Sequence, residues 1–235
     1  MSADERREEL KVLLQEARGC TRCPQLASTR TTVVFGAGNA DADLMFVGEA
    51  PGASEDKQGL PFVGSAGKLL EKLLGEIGLA RADVFIANVL KCRPPGNRDP
   101  HPTEIEACQD YLWRQIDLIQ PLVLCTLGNF STKLLRGDPM GITRLHGSAE
   151  VRRIGPRTVR LYPLFHPAAA LYTPSMLATL REDFARIPEL LALPAPEQPE
   201  PEQPEREPDL VMVAAEAEAE PEVEAAPEPD QLGLF

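Results

Sequence analysis

Four short apolar runs, separated by stretches long enough for amphipathic helices, leave few folds open to this chain. They lie at residues 43–48, 84–89, 122–128 and 159–165. Runs of this length, apolar on successive residues, suit strands buried on both faces. Between them the apolar positions fall at helical spacing. Leu69, Leu70, Leu73, Leu74 and Ile77 predict a helix over 64–77, and Ile105, Cys108, Leu112 and Ile116 predict one over 102–119. Further helices are expected at 129–135 and 175–191, and an N-terminal one running from a Ser2/Glu5 capping box to Arg18. Strand–helix alternation implies an α/β fold: three αβα layers around a central, mostly parallel four-stranded sheet. An antiparallel partner for the last strand is expected at 150–154, turning at Gly155-Pro156. Ligands of such sheets bind beyond the carboxyl ends of the strands. Glu49, Asn88 and His166 stand there.

Charge divides the chain. The formal net charge is −12, and residues 194–235 carry all of it, with 13 acidic residues against Arg206 alone. Residues 1–193 are neutral, so the acid balance does not exclude a nucleic-acid partner for the part that folds. Nine prolines among the last 42 residues, with many glutamates, predict a disordered linker over 194–230 that cannot bury enough apolar surface to order. No apolar stretch reaches transmembrane length and the N-terminus lacks a signal-peptide core. The expected setting is therefore cytoplasmic and the expected state a monomer, with no membrane partner.

Five cysteines in such a chain point to metal or redox chemistry rather than disulfides. Cys20 and Cys23 form a C-x2-C pair, Cys92 follows the second strand and Cys108 lies on a helix. Four thiolates suit a tetrahedral zinc or an iron–sulfur cluster, and spacing alone does not separate the two. Cys125 lies inside an apolar strand and reads as a core residue.

The loop after the first strand runs Gly48-Glu49-Ala50-Pro51-Gly52-Ala53-Ser54-Glu55-Asp56 and then Gly59-Leu60-Pro61-Phe62-Val63-Gly64. With Asn88-Val89-Leu90-Lys91-Cys92-Arg93-Pro94-Pro95, with His166-Pro167 and with the four cysteines, it resembles the family 4 uracil-DNA glycosylases, prokaryotic enzymes with a [4Fe-4S] cluster. The resemblance spans about Glu8 to Leu190. It implies a monofunctional DNA glycosylase of base excision repair, acting at the nucleoid on uracil-containing DNA. Such an enzyme hydrolyses the N-glycosidic bond of flipped deoxyuridine with water and leaves an abasic site. It also implies Cys20, Cys23, Cys92 and Cys108 as cluster ligands.

The residue chemistry agrees. A flipped base is read on its pairing edge and by stacking. Phe62 suits stacking; the Asn88 amide can accept from uracil N3–H and donate to O4, which cytosine reverses. A neutral His166 can donate to O2 as charge builds on the departing base. Glu49 and Glu55 are the candidate carboxylates for the water, and Ala50 and Pro51 complete the expected uracil wall. Ala50 stands where family 1 enzymes have an aspartate, and Gly52 where they have a tyrosine against thymine.

Seven basic and two acidic residues between Lys133 and Arg160 predict a phosphate-contacting band, with Arg144, Arg152 and Arg153 as its candidates. Lys91 and Arg93 are expected to add to it, and Leu171 to wedge into the DNA helix. The terminal Gln231-Leu232-Gly233-Leu234-Phe235 looks like the peptide by which bacterial repair proteins bind the replication sliding clamp, with Gln231, Leu232, Leu234 and Phe235 as anchors. Two other readings stay open: a uracil-DNA binder that crosslinks without turnover, and a zinc or redox regulator.

Overall fold

The computed structural model describes residues 1–199. In chain order its elements are α1 (Ala3–Arg18), α2 (Pro24–Thr29), β1 (Ala37–Gly38), β2 (Leu44–Gly48), α3 (Ala53–Gln58), α4 (Ser65–Glu76), β3 (Phe85–Asn88) and α5 (Pro102–Ile119). There follow β4 (Val123–Leu127), α6 (Asn129–Arg136), α7 (Ile142–Leu145), β5 (Glu150–Ile154), β6 (Arg157–Leu164), α8 (Pro167–Ala170), α9 (Pro174–Ala185) and α10 (Ile187–Ala192).

The strands form one sheet in the order β1-β3-β2-β4-β6-β5. The inner four are parallel, as the apolar runs imply, and β1 and β5 close the edges antiparallel. Strand alternation sorts the core onto the two faces. Leu44 and Phe46, with Ile86, Cys125 and Tyr162, pack under α4, α9 and α10. Met45 and Val47, with Phe85, Leu124 and Leu161, pack under α5 and α6. Cys125 is fully buried in the first of these layers. A smaller cluster joins α1 and α2 to the segment after β3 and holds the other four cysteines.

Three local features differ from the sequence reading. Residues 48–64 are not all loop: α3 forms between Gly52 and a left-handed Gly59 (φ 73°). Its Asp56 is buried and accepts from the Thr31 backbone N–H at 2.9 Å and from that of Thr32 at 3.3 Å. The single helix expected over 175–191 is two, broken at Arg186 ahead of Pro188, which has no N–H to continue the ladder. Residues past Leu193 still touch the body. Arg160 donates to the carbonyls of Leu190 and Pro194 at 3.0 Å each, and the Gln198 side chain pairs with both backbone groups of Thr158. The linker and terminal peptide, apart from residues 194–199, lie outside the described residues.

Candidate functional site: a cavity at the carboxyl ends of the strands

β2 lies between β3, which follows it in sequence, and β4, on its other side, so the chain reverses direction across the sheet there. A crevice opens at such a switch point. The cavity found there measures about 460 Å³ and is lined by Glu49, Ala50, Pro51, Glu55, Phe62, Asn88 and His166. All the residues expected to meet uracil thus face one space. Gly52, Ala66, Pro94, Asn97, Arg98 and Ala168 complete the lining. The last five were not among the expected wall residues: Pro94, Asn97 and Arg98 sit in the segment after β3, whose path no periodicity reports, and Ala66 and Ala168 lie in the first turns of α4 and α8.

Asn88 ends β3 and is 2% exposed. Its amide packs directly over Gly48, where a Cβ would collide with its Oδ1 and come within 2.9 Å of the Phe62 ring. Phe62 has a left-handed backbone (φ 53°) that a bulky residue rarely adopts. Four partners hold it there. Arg81 donates to its carbonyl at 3.0 Å and to that of Pro61. Glu55 accepts the N–H groups of Val63 and Gly64 at 3.2 Å each. Gly67 leaves room for the Phe62 carbonyl, which any Cβ there would strike. The Phe62 ring stacks against His166 with centroids 5.6 Å apart.

His166 follows β6 and caps α8. Its Nδ1 accepts from the Ala168 backbone N–H at 3.0 Å. Burial pushes its pKa down to about 4, with a smaller opposing pull from Glu55. A neutral ring whose Nδ1 accepts must carry its proton on Nε2, so the imidazole is fixed as an Nε2–H donor. Glu49 is half-buried, and its carboxyl is pushed above the usual carboxylate range by burial and by the charge of Asp99. Glu49 and Asp99 also line an adjoining groove of about 590 Å³ with His166, Asn129 and Lys133.

Cys20, Cys23, Cys92 and Cys108 line one small enclosed cavity together with Arg30 and Tyr111. All are free thiols. Burial raises the pKa of Cys23 and Cys92, and that of Cys108 to about 11. Arg30 donates to Cys92 Sγ at 3.2 Å and the Lys91 N–H to Cys108 Sγ at 3.4 Å. Buried donors aimed at sulfur favour thiolate over thiol, so this all-sulfur donor set fits a soft metal group. Among the described residues no three Cys, His, Asp or Glu side chains stand close enough to share one metal ion. The four sulfurs face one small space from three separate parts of the chain.

The expected phosphate contacts divide. Arg93 follows Cys92 beside the cavity lining and donates to Asn97 Oδ1 at 2.7 Å. Arg144 is exposed on α7, whose following residue His146 packs on Phe165, next to His166. Leu171 is 37% exposed at the end of α8, beside Tyr172 at 89%. These three lie at the cavity end of the sheet.

Lys91, in contrast, is not a surface cation. It is 2% exposed, and its ammonium donates to the Asn88 carbonyl at 2.8 Å and to Gln115 Oε1 at 2.5 Å. Arg160 is likewise buried on backbone carbonyls. Arg152 and Arg153 pair with Val159 and Thr158 near the start of β6. At about 3.3 Å per residue, roughly 20 Å of strand separates Thr158 from Leu164 at the cavity end. Arg152 is also engaged with Glu150 at 2.9 Å, as is Arg136 with Asp138 at 2.8 Å. The band seen in the sequence is therefore partly internal and partly at the wrong end of the sheet.

A family model for the uracil DNA glycosylase superfamily matches residues 35–191. The chain is 47% identical to the type-4 uracil-DNA glycosylase of Sulfurisphaera tokodaii over 192 residues, covering 80% of this chain and 87% of the relative. It is 46% identical to that of Archaeoglobus fulgidus, covering 78% and 94% of the two chains. With that of Thermotoga maritima it shares 44% identity, covering 71% and 85%. With the sheet order, the cavity and its fixed histidine in place, these similarities lead to one conclusion: the chain belongs to the uracil DNA glycosylase superfamily, on its type-4 branch.

Proposed function

We propose that this protein removes uracil from DNA by hydrolysing the N-glycosidic bond, leaving an abasic site that begins base excision repair. The observation that carries the reading is the imidazole of His166, neutral and fixed as an Nε2–H donor in the same cavity as Asn88 and Phe62. A uracil flipped into this space stacks on Phe62. Asn88 accepts from its N3–H and donates to O4. His166 donates to O2, where negative charge grows as the bond to the sugar lengthens. The sugar becomes oxocarbenium-like, and Glu49, with no side-chain hydrogen bond to spend its charge on among those described, orients and deprotonates the water. Glu55 is engaged by the loop that presents Phe62, which makes it a positioning residue here.

The test is incubation of the full-length protein with a uracil-containing oligonucleotide, followed by hot alkali. Free uracil and strand scission support the reading. A denaturation-stable adduct supports a capture protein instead, and an intact strand with no adduct overturns both.

The cavity bounded by Cys20, Cys23, Cys92 and Cys108 supports an iron–sulfur cluster, in the [4Fe-4S] form, as the bound group. Bound there, it supplies structure, crosslinking the α1–α2 connection to α5 and to the segment after Asn88. Iron and sulfide analysis of the purified protein checks this, and stoichiometric zinc would replace it.

An acid limb in the excision rate is expected from Glu49. Ionised Glu49 is the active form, so activity falls as pH drops through its raised pKa. Removing the Asp99 charge lowers that pKa, so Asp99→Asn should move the limb to lower pH, and Glu49→Gln should remove it. An unmoved limb in Asp99→Asn would assign it to another group.

The terminal peptide Gln231–Phe235 is proposed to dock on the sliding clamp, its leucines and Phe235 entering an apolar pocket and Gln231 fixing register. Deleting it should abolish clamp binding in a pull-down and leave excision on short free DNA unchanged. Equal clamp affinity after deletion would overturn the assignment.

A further inference from the structure

The most unusual buried group outside the base-binding cavity is Lys91. A lysine ammonium is rarely fully buried unless paired, and among the described residues this one bonds a carbonyl and an amide oxygen, not a carboxylate. It lies between two functional centres. On one side its own N–H donates to Cys108 Sγ at 3.4 Å, and its chain neighbour is Cys92. On the other its Nζ reaches back along the chain to the carbonyl of Asn88 at 2.8 Å. Its second acceptor is Gln115 Oε1 at 2.5 Å, and Gln115, fully buried on α5, donates its Nε2 to the Phe35 carbonyl at 2.9 Å. A continuous buried polar chain therefore runs from residue 35 through α5 and Lys91 to the peptide of Asn88.

β3 ends at Asn88, and its backbone must turn there. The two following N–H groups bond back to the carbonyls of Gly48 and Glu49 at 3.0 Å each. The Asn88 carbonyl is taken by the Lys91 ammonium. A charge-assisted bond in a buried setting is strong and directional. It fixes the orientation of the peptide plane, and with it the direction in which the Asn88 side chain leaves the backbone.

We infer that Lys91 is a positioning residue for base recognition: its ammonium, held by Gln115, aims the Asn88 amide at the pairing edge of the base. Because its amide is also bound to the four-cysteine centre, the same residue ties the integrity of that centre to the aim of Asn88. This inference rests on Asn88 reading the base, as proposed above.

The test uses full-length protein and two product inhibitors, uracil and 3-methyluracil. The second lacks the N3–H that Asn88 accepts. Partial unfolding weakens both inhibitors equally, so the ratio of their inhibition constants reports the aim of Asn88 and not the folded fraction. Lys91→Met, close in shape and without charge, is expected to reduce the wild-type preference for uracil by roughly tenfold or more, the scale on which small misplacements act. Gln115→Leu keeps the ammonium but removes its second acceptor. It should reduce the preference less, and it is the variant to read if Lys91→Met does not accumulate. Asn88→Ala provides the reference: it should abolish the preference. If Asn88→Ala keeps it, the base-reading assignment fails. If Asn88→Ala abolishes it while the folded Lys91 or Gln115 variant keeps the wild-type ratio, the positioning role is overturned.

Discussion

Alanine in place of His166 is expected to slow single-turnover release of uracil by about 10²–10³-fold, the usual cost of removing one preorganised donor from a developing anion. The donor is preorganised because its other nitrogen is already committed. Nδ1 accepts from Ala168, and the ring is wedged against Phe62. The ring need not lose a proton or reorient as the bond breaks. With a pKa near 4 the imidazole stays neutral through the physiological range, so its own titration should not shape the rate there. The depressed value also has a stability consequence. The unfolded chain protonates this histidine below about pH 6.5, whereas the folded chain does so only near pH 4. Its contribution is complete above the upper value and is lost as pH falls through that window. His166→Ala should therefore show a flatter loss of melting temperature on acidification. Undiminished excision by the variant in a rapid-quench assay would remove His166 from the reaction.

Gly48→Ala is expected to separate stability from activity. The backbone at Gly48 is not left-handed, so an alanine is conformationally acceptable there. The obstacle is entirely tertiary: the new Cβ meets Asn88 Oδ1 and stands 2.9 Å from two atoms of the Phe62 ring. Both are side-chain ends, which can yield, so the destabilisation should be about 1–3 kcal/mol, as for other overpacked sites. The two groups that must yield are those proposed above to read the base and to stack on it. Excision should therefore fall by about 100-fold, the scale of a 1 Å misplacement at a reacting site. Gly67→Ala makes the contrast. Its Cβ would strike the carbonyl of Phe62, which is backbone, so that variant should lose fold as well as activity. Thermal melts alongside excision rates check both. A Gly48→Ala protein with wild-type excision would mean that Asn88 and Phe62 tolerate displacement.

Much of the scaffold was legible because it rests on local physics. Residues 44–48 and 123–127 are apolar on both faces because both faces are covered. The helix over 102–119 forms with the bounds that its proline start and apolar spacing predict. The short helices escaped. α2 and α3 have six residues each, too few to show a period, and α3 depends on Asp56 gripping the N–H groups of Thr31 and Thr32 from another part of the chain.

The same division runs through the site. By itself the sequence determined the strand–helix alternation, the end of the sheet where the cavity opens, and the residues Glu49, Phe62, Asn88 and His166 that line it. Their types and their places after strands are local properties. Only the tertiary structure decided what each charge does. Lys91, Arg152 and Arg160 are all cations beside apolar residues in the sequence. Yet one is sealed under Asn88, one lies in an ion-pair cluster on the edge strand β5, and one is capped by the carbonyls of Leu190 and Pro194. A residue's charge is written in its side chain. Whether that charge meets water, a phosphate or a buried carbonyl depends on which distant segments pack against it.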